Sequence, residues 1–283
     1  MRKPRLHSLP FILISLLWLQ STHAQDRASV FYRFEPSANL DAAGPAADIT
    51  THNLSARMGY PAINAENIRV IPGIDFAWDH FRFNDFPVDD LDAYNIGLGV
   101  TTIYTGFENR TIIARLAPGI STDFKTITDN DFHLFGMILG VQKLSETFSI
   151  GLGVIYNQDF GDPRIYPGLG FNWQISEALE LDINMPRPRI LYTPNDRMRM
   201  ALHAAPAGDS WSIGHEGEDL ELTLENIRIG GEVERKVAEH FWLSLDIGVN
   251  VDRSYELELE DGHSIIDAGA DNVPYVRIGL VYR

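Results

Sequence analysis

The chain has 283 residues, no cysteine and a formal net charge of −16. That acidity excludes nucleic acid as a partner, and the missing cysteines exclude disulfide staples, so a secreted form must be held by a large core, by tight hydrogen bonding or by a membrane. After residue 24 no stretch stays apolar long enough for a transmembrane helix, which leaves strands as the only way across a bilayer.

Residues 1–24 read as a secretory signal peptide. Arg2, Lys3 and Arg5 form a basic start, Leu9 to Leu19 an apolar core, and Thr22-His23-Ala24 a cleavage region, with cleavage expected after Ala24. Residues 25–50 form a mixed N-terminal segment, with one short strand over Ser29–Phe34 and loop from Pro36 to Ala47. Residues 51–283 form the principal domain, without Pro/Gly/Ser linker or shift of composition.

Period-two alternation then repeats along the chain. Leu54, Ala56 and Met58 alternate with Ser55 and Arg57; Ile74, Phe76 and Trp78 follow a tight turn near Ile63–Ala65, set against Gly73 and Asp75. Tyr94, Ile96, Leu98 and Val100 alternate with Asn95, Gly97 and Gly99, and Ile112, Ala114 and Leu116 stand against Thr111 and Arg115. A long hairpin comes next. Its first arm carries the apolar row Phe135, Met137, Leu139 and Val141, against Gly136 and Gly140. Its second arm carries Ile150, Leu152 and Val154, against Gly151 and Gly153. Leu169, Phe171 and Trp173 make a further strand, then Leu179, Leu181 and Ile183 another, broken at Pro186-Arg187-Pro188 because proline cannot donate to a ladder. Met198, Met200 and Leu202 resume the pattern. Ile227, Ile229 and Val233, then Leu243, Leu245 and Ile247, and finally Val276, Ile278 and Leu280 complete it.

The arms are about as long as the roughly 9–11 residues that a tilted strand needs to cross a bilayer. Short connections near 62–65, 105–109, 143–147, 176–178, 193–196 and 236–240 alternate with longer ones at 79–91, 122–131, 158–164, 205–223 and 254–272. This predicts an all-β protein: a transmembrane up-and-down antiparallel β-barrel of about 12–14 strands. The count reaches 14 if Ser29–Phe34 is a strand and Pro186–Arg189 a tight bend.

If the apolar rows face lipid, the opposite rows line a lumen. The inward basic residues are then Arg57, Arg69, Arg115, Arg197, Arg199, Arg228 and Arg277. The inward acids are Asp75, Glu180, Asp182, Glu232, Glu234, Asp246 and Asp252. A dry core would not hold so many charges, whereas a polar lumen can hold them as ion pairs. The assignment depends on register, which one bulge shifts. Tyr94 and Tyr104 are spaced to mark the two rims of an apolar band, although cross-strand aromatic packing accounts for them too. Both arms of the long hairpin are expected to turn their apolar rows to lipid, with Gly136, Gly140, Gly151 and Gly153 inside.

The acids of the long connections, such as Asp89, Asp90, Glu216, Glu218, Glu256 and Glu258, read as solvated loops ahead of divalent-cation binding. The Gly-Leu-Gly repeats at residues 97–99, 151–153 and 168–170 lead into strands rather than helices, so they are not nucleotide fingerprints. No catalytic constellation, metal cluster or cofactor motif emerges. Ser210, Ser212 and His215 sit close in sequence, as polar loops produce by chance.

The stretches LDINMPRPRILYTPNDRMRM (Leu181 to Met200) and ENIRIGGEVERKVAEHFWLSLDIGVNVDRSYEL (Glu225 to Leu257) carry a resemblance. With their Pro-Arg-Pro-Arg break, Tyr192 and Ile-Gly-Gly-Glu strand, they resemble a Gram-negative outer-membrane β-barrel family of unknown function. The resemblance implies an outer-membrane location, with lipid and the barrel-assembly machinery as partners, and assigns no activity. Such barrels usually end on an aromatic residue; here Tyr282 precedes Arg283. Three readings stay open: a narrow pore for small polar solutes, a plugged barrel with a structural or surface-interaction role, and a soluble periplasmic β protein. An enzyme is the weakest reading.

Overall fold

The structure is a computed structural model and describes residues 27–41, 47–85, 90–158, 163–215, 218–259 and 263–283. The signal-peptide expectation lies outside these residues.

The elements in chain order are β1 (Ala28–Asn39), β2 (Asp48–Gly59), the two-residue β3 (Ile63–Asn64), β4 (Ile68–Asn84), β5 (Leu91–Phe107) and β6 (Arg110–Thr122). A 3-10 turn, Asp129–Asp131, leads into β7 (Phe132–Lys143), β8 (Phe148–Asn157), β9 (Arg164–Gln174), β10 (Leu179–Asn184) and β11 (Arg187–Asn195). The chain continues with β12 (Met198–His215), β13 (Glu218–Lys236), β14 (Phe241–Leu259), β15 (Ser264–Ala270) and β16 (Val273–Tyr282). Consecutive wall strands pair antiparallel, and β1 closes on β16. The result is a closed 14-strand ring, with β3 attached to β4 and β15 to the outer part of β14. Closure gives each of the fourteen strands a partner on both sides, as a bilayer demands.

The ring begins at Ala28, so residues ahead of 51 supply a full wall strand and the start of β2. The break at Pro186 is a tight bend between β10 and β11. Several connections read as long loops are instead strand. Residues 205–215 and 218–223 belong to the β12–β13 hairpin, and 254–272 hold the end of β14 and β15. Alternation weakens there because these extensions rise beyond the lipid belt, where neither face need be apolar.

Opposite residues of an antiparallel pair share a face, so register fixes which rows point outward. An apolar belt runs round the outside. Leu98 is 61% exposed, Ile138 63% and Leu152 60%, continuing through Leu169, Leu202, Ile247 and Ile278. The first arm of the long hairpin departs from expectation. Ile138 pairs with Val154 and Gly140 with Leu152, which puts the even-numbered residues of β7 outside. Met137 stands opposite inward Arg115. Phe135, Met137, Leu139 and Val141 therefore face the interior, and Gly136 and Gly140 face out. Hydrophobicity alone misassigned this strand because its inward row is the greasier one. Gly151 and Gly153 do point inward. Leu139 packs against Gly153 and Gly168, where an added Cβ would collide with its side chain.

The wall is uneven in height. β12, β13 and β14 run 18, 19 and 19 residues, whereas β10 and β11 run 6 and 9. At the end carrying the longer connections, here the mouth, β12 leaves the wall and crosses to the opposite side. β5 and β12 lie half the ring apart in either direction, yet the Asn95 amide donates to Asp209 at 2.8 Å. Ser212 bridges Thr122 of β6 in a parallel pairing. Gly208 marks the departure: its φ is +136°, a conformation side chains avoid, and a Cβ there would strike the Leu224 carbonyl.

This crossing divides the mouth into two lobes. One is roofed by a dry core of Leu40, Ile49, Phe81, Leu91, Trp211, Leu222, Tyr255 and Leu257. Trp211 meets Phe81 edge-on, with ring centroids 5.2 Å apart. Burying each such side chain contributes about 1.5–3 kcal/mol, which stabilises the crossing. The other lobe, above β6 to β11, is polar.

Candidate functional site: a charged lumen and a divided mouth

Inside the ring, β1, β13, β14 and β16 carry a ladder of charges. At the short-turn end the Arg283 guanidinium donates to both Glu234 oxygens at 3.0 and 2.7 Å. Arg199 and Arg283 each lie 5.1 Å from the Trp242 ring centroid. One level up, Arg277 reaches Asp246 at 2.9 Å and Glu232 at 3.4 Å, with Phe31 beneath its guanidinium. Asp246 is fully buried. Its Oδ1 accepts the Tyr275 hydroxyl at 3.1 Å and lies 3.1 Å from His203 Nε2. Ser244 donates to Glu232 at 2.7 Å.

Below the roof the charges converge on Glu35, only 2% exposed. Arg33 donates to it at 2.8 Å, and Arg228 and Arg253 approach at 3.7 and 3.6 Å. Arg33 also lies 3.7 Å from Asp79, which accepts the Asn53 amide at 2.9 Å. Arg253 donates to the Tyr255 hydroxyl at 2.6 Å and Arg228 to Asn250 at 3.2 Å. On the adjoining wall Asp75 sits between Arg57 and Arg115, with Arg115 at 2.7 Å. Asn172 pairs with Glu180, and Asn184 with Asp182, on the low wall.

Twelve of the fourteen lumen candidates thus lie on inward rows: Arg57, Arg69, Asp75, Arg115, Glu180, Asp182, Arg199, Arg228, Glu232, Glu234, Asp246 and Arg277. Arg69 stands at the short-turn rim, where its Nε donates to Asn64 at 3.3 Å. Two candidates are corrected. Arg197 is exposed in the turn between β11 and β12. Asp252 is exposed at a bulge in β14, with φ +53° and a register shift opposite Glu225 and Ile227. The extra residue reverses the parity of the strand, so Asn250 and Arg253 point inward while Asp252 does not.

Sequence reasoning missed Arg33, Glu35, Asp79 and Arg253, which form the buried centre of the ladder. Arg33 and Glu35 were readable, because they alternate with Val30, Tyr32 and Phe34. Arg253 was hidden by the bulge. Arg187 and Arg189 were missed too, although Arg189 faces Asp182 in register.

The wall facing this ladder is apolar, carrying Phe135, Met137, Leu139, Val141 and Ile155 as half-buried inward side chains. Above it, in the open lobe, lies a cleft of about 290 Å³ between the start of β7 and the back of the β12–β13 hairpin. Its lining includes Ser121, Asp129, Asp131, His133, Ser210 and Glu221. Ser210 donates to Glu221 at 2.6 Å, and Ser121 lies 3.2 Å from His133. Among the described residues, no group of three or more His, Asp or Glu side chains is arranged to hold a metal ion.

Residues 76–283 match the family described as "Domain of unknown function (DUF6268)". No curated protein matches the chain in sequence. Among solved structures, the COG4313 outer membrane channel from Pseudomonas putida F1 superposes with a TM-score of 0.51 at 12% identity, covering 90% of this chain and 94% of that one. A Pseudomonas aeruginosa FadL homologue gives a TM-score of 0.48 at 11% identity, covering 90% and 89%. At 12% identity the likeness to the first of these is one of fold: that of the outer-membrane β-barrels.

Proposed function

The chain belongs to this family of domains of unknown function, and from that premise we propose that it is a narrow bacterial outer-membrane channel for small polar solutes. The observation that carries the reading is the pairing of a lipid-facing apolar belt with a closed ring whose interior is charged. A protein with no aqueous interior would leave Arg115, Glu180, Asp182 and Arg277 costly to bury. In this reading the short turns, the start of β1 and the end of β16 face the periplasm, and the mouth faces outward. The passage runs through the open lobe, between the ion-pair ladder and the apolar wall of β7. The solved channel of like fold supports this reading at the level of architecture.

A planar bilayer tests it. The folded protein is expected to give small, discrete conductance steps. Absence of steps at any voltage, with the protein demonstrably folded by its heat-modifiable gel mobility, removes the channel reading. The second reading, a plugged barrel with a structural or surface-interaction role, is favoured by one specific feature. The roof over β1, β2 and β4 is dry and continuous, and the ladder beneath it pairs its own charges. No catalytic role is assigned to any residue.

A further inference from the structure

We propose that the cleft of the open lobe is an entrance site for small organic cations, a protonated amine carried on an apolar body. This rests on the channel reading for its purpose, though not for its chemistry.

The carboxylates come first. Asp131 is 1% exposed. Its Oδ2 accepts the Thr128 amide at 2.9 Å, while Oδ1 has no hydrogen-bond partner. A buried acceptor left unmade is costly, and an ammonium group is the kind of donor that satisfies it. Asp129, Glu221 and His133 line the same cleft, and among the described residues no Lys or Arg does. The nearby Lys125 is turned away, with its ammonium 3.2 Å from Asp123 and 3.3 Å from the Gly214 carbonyl. The described lining, with three carboxylates and one imidazole, therefore carries net negative charge whichever form His133 takes. The described carboxylates do not converge as metal ligands, so a dispersed cation with directional N–H donors fits better than a bare metal ion.

The apolar body is argued from the strand that follows. β7 leaves the cleft at Phe132 and His133, and its inward row continues as Phe135, Met137, Leu139 and Val141. A ligand whose ammonium rests at the acidic rim has an apolar stripe directly below it. The volume of about 290 Å³ suits a molecule of one ring or a short alkyl chain.

The test uses benzylammonium as probe and benzoate as its matched anion, titrated into the full-length protein folded in detergent and followed by ligand-observed NMR. Benzylammonium is expected to bind and benzoate not. Asp131→Asn and Glu221→Gln are each expected to weaken binding about ten-fold, the loss of one charge-assisted hydrogen bond. Heat-modifiable mobility shows whether each variant is folded; if Asp131→Asn is not, Glu221→Gln alone decides. Equal binding of the two probes, or unchanged affinity in the folded variants, overturns the cation site whether or not the barrel conducts. Binding with the expected losses in a barrel that never conducts keeps the site and removes the channel reading instead.

Discussion

Glu35 gathers three arginines around one buried carboxylate, and it shows how the lumen is stabilised residue by residue. Arg33, Arg228 and Arg253 all lie within 3.7 Å of it. Replacing Glu35 by Ala leaves these cations uncompensated in a nearly dry place. The expected loss is about 3–5 kcal/mol, read as a lower midpoint in denaturant unfolding from detergent micelles or vesicles. An equally conservative change on the exposed turn, Arg197→Ala, is expected to shift that midpoint by less than about 0.5 kcal/mol. Glu256, on the outward face of β14 beyond the belt, behaves differently. Partial burial pushes its carboxyl up from the usual value, reinforced by Glu258, Asp267 and Glu225. A carboxyl whose pKa is raised by folding holds its proton more tightly in the folded state. The β14–β15 hairpin therefore gains stability as pH falls through that raised value and loses it as pH rises. Amide exchange in β15, corrected for intrinsic rate, is expected to be slower near about pH 5 than near about pH 7.5, and Glu256→Gln should flatten the difference.

The β7–β8 hairpin and the β12 crossing carry the lessons at the level of elements. In β8 the outward row was readable: Leu152 is 60% exposed, and Leu152→Arg is expected to block insertion, at a cost of about 2–4 kcal/mol near the midplane. In β7 the readable row was the wrong one. Ile138→Arg should fail as Leu152→Arg does, while Gly140→Ala should be tolerated. Gly153 points inward, but into a place with no room for a side chain. Its Cβ would meet the Ile138 carbonyl and the Leu139 side chain, so Gly153→Ser is expected to impair assembly, seen as loss of the heat-modifiable band. At Gly208 the constraint is conformational. Gly208→Val forces a branched side chain into φ +136° against the Leu224 carbonyl, and is expected to detach the β12 tip from β5 and β6. A disulfide between cysteines placed at Ser212 and Thr122 reports on that: it should form readily in the parent and poorly in the Gly208→Val background.

For the whole molecule the decisive feature is asymmetry. Tall walls at β4–β5 and β12–β14 close over one lobe, while low β10 and β11 leave the other open. If the passage follows the open lobe, bulk introduced on the apolar lumen wall should narrow it and bulk introduced in the roof should not. Val141→Trp is expected to lower single-channel conductance by about half or more, whereas Leu91→Phe in the roof should leave it unchanged and cost about 1–3 kcal/mol of stability. Equal conductance in both variants would place the passage elsewhere.

The sequence by itself determined that the chain is a barrel. Its period-two rows, its strand lengths and its alternation of short and longer connections are local properties, written into each segment by the pleat and by the need to satisfy every backbone group in lipid. Most of the lumen ladder was legible for the same reason, as the polar row opposite each apolar one. Three things were decided only by tertiary structure. The face of β7 was set by hydrogen-bond register with β6 and β8, since alternation defines two faces without saying which is inside. The parity of β14 beyond Val251 was set by one bulged residue. The division of the mouth depends on Asn95 meeting Asp209 and Thr122 meeting Ser212 across the ring. Those contacts join residues too far apart in the chain for any local pattern to pair them, and they form only once closure has brought the two walls face to face.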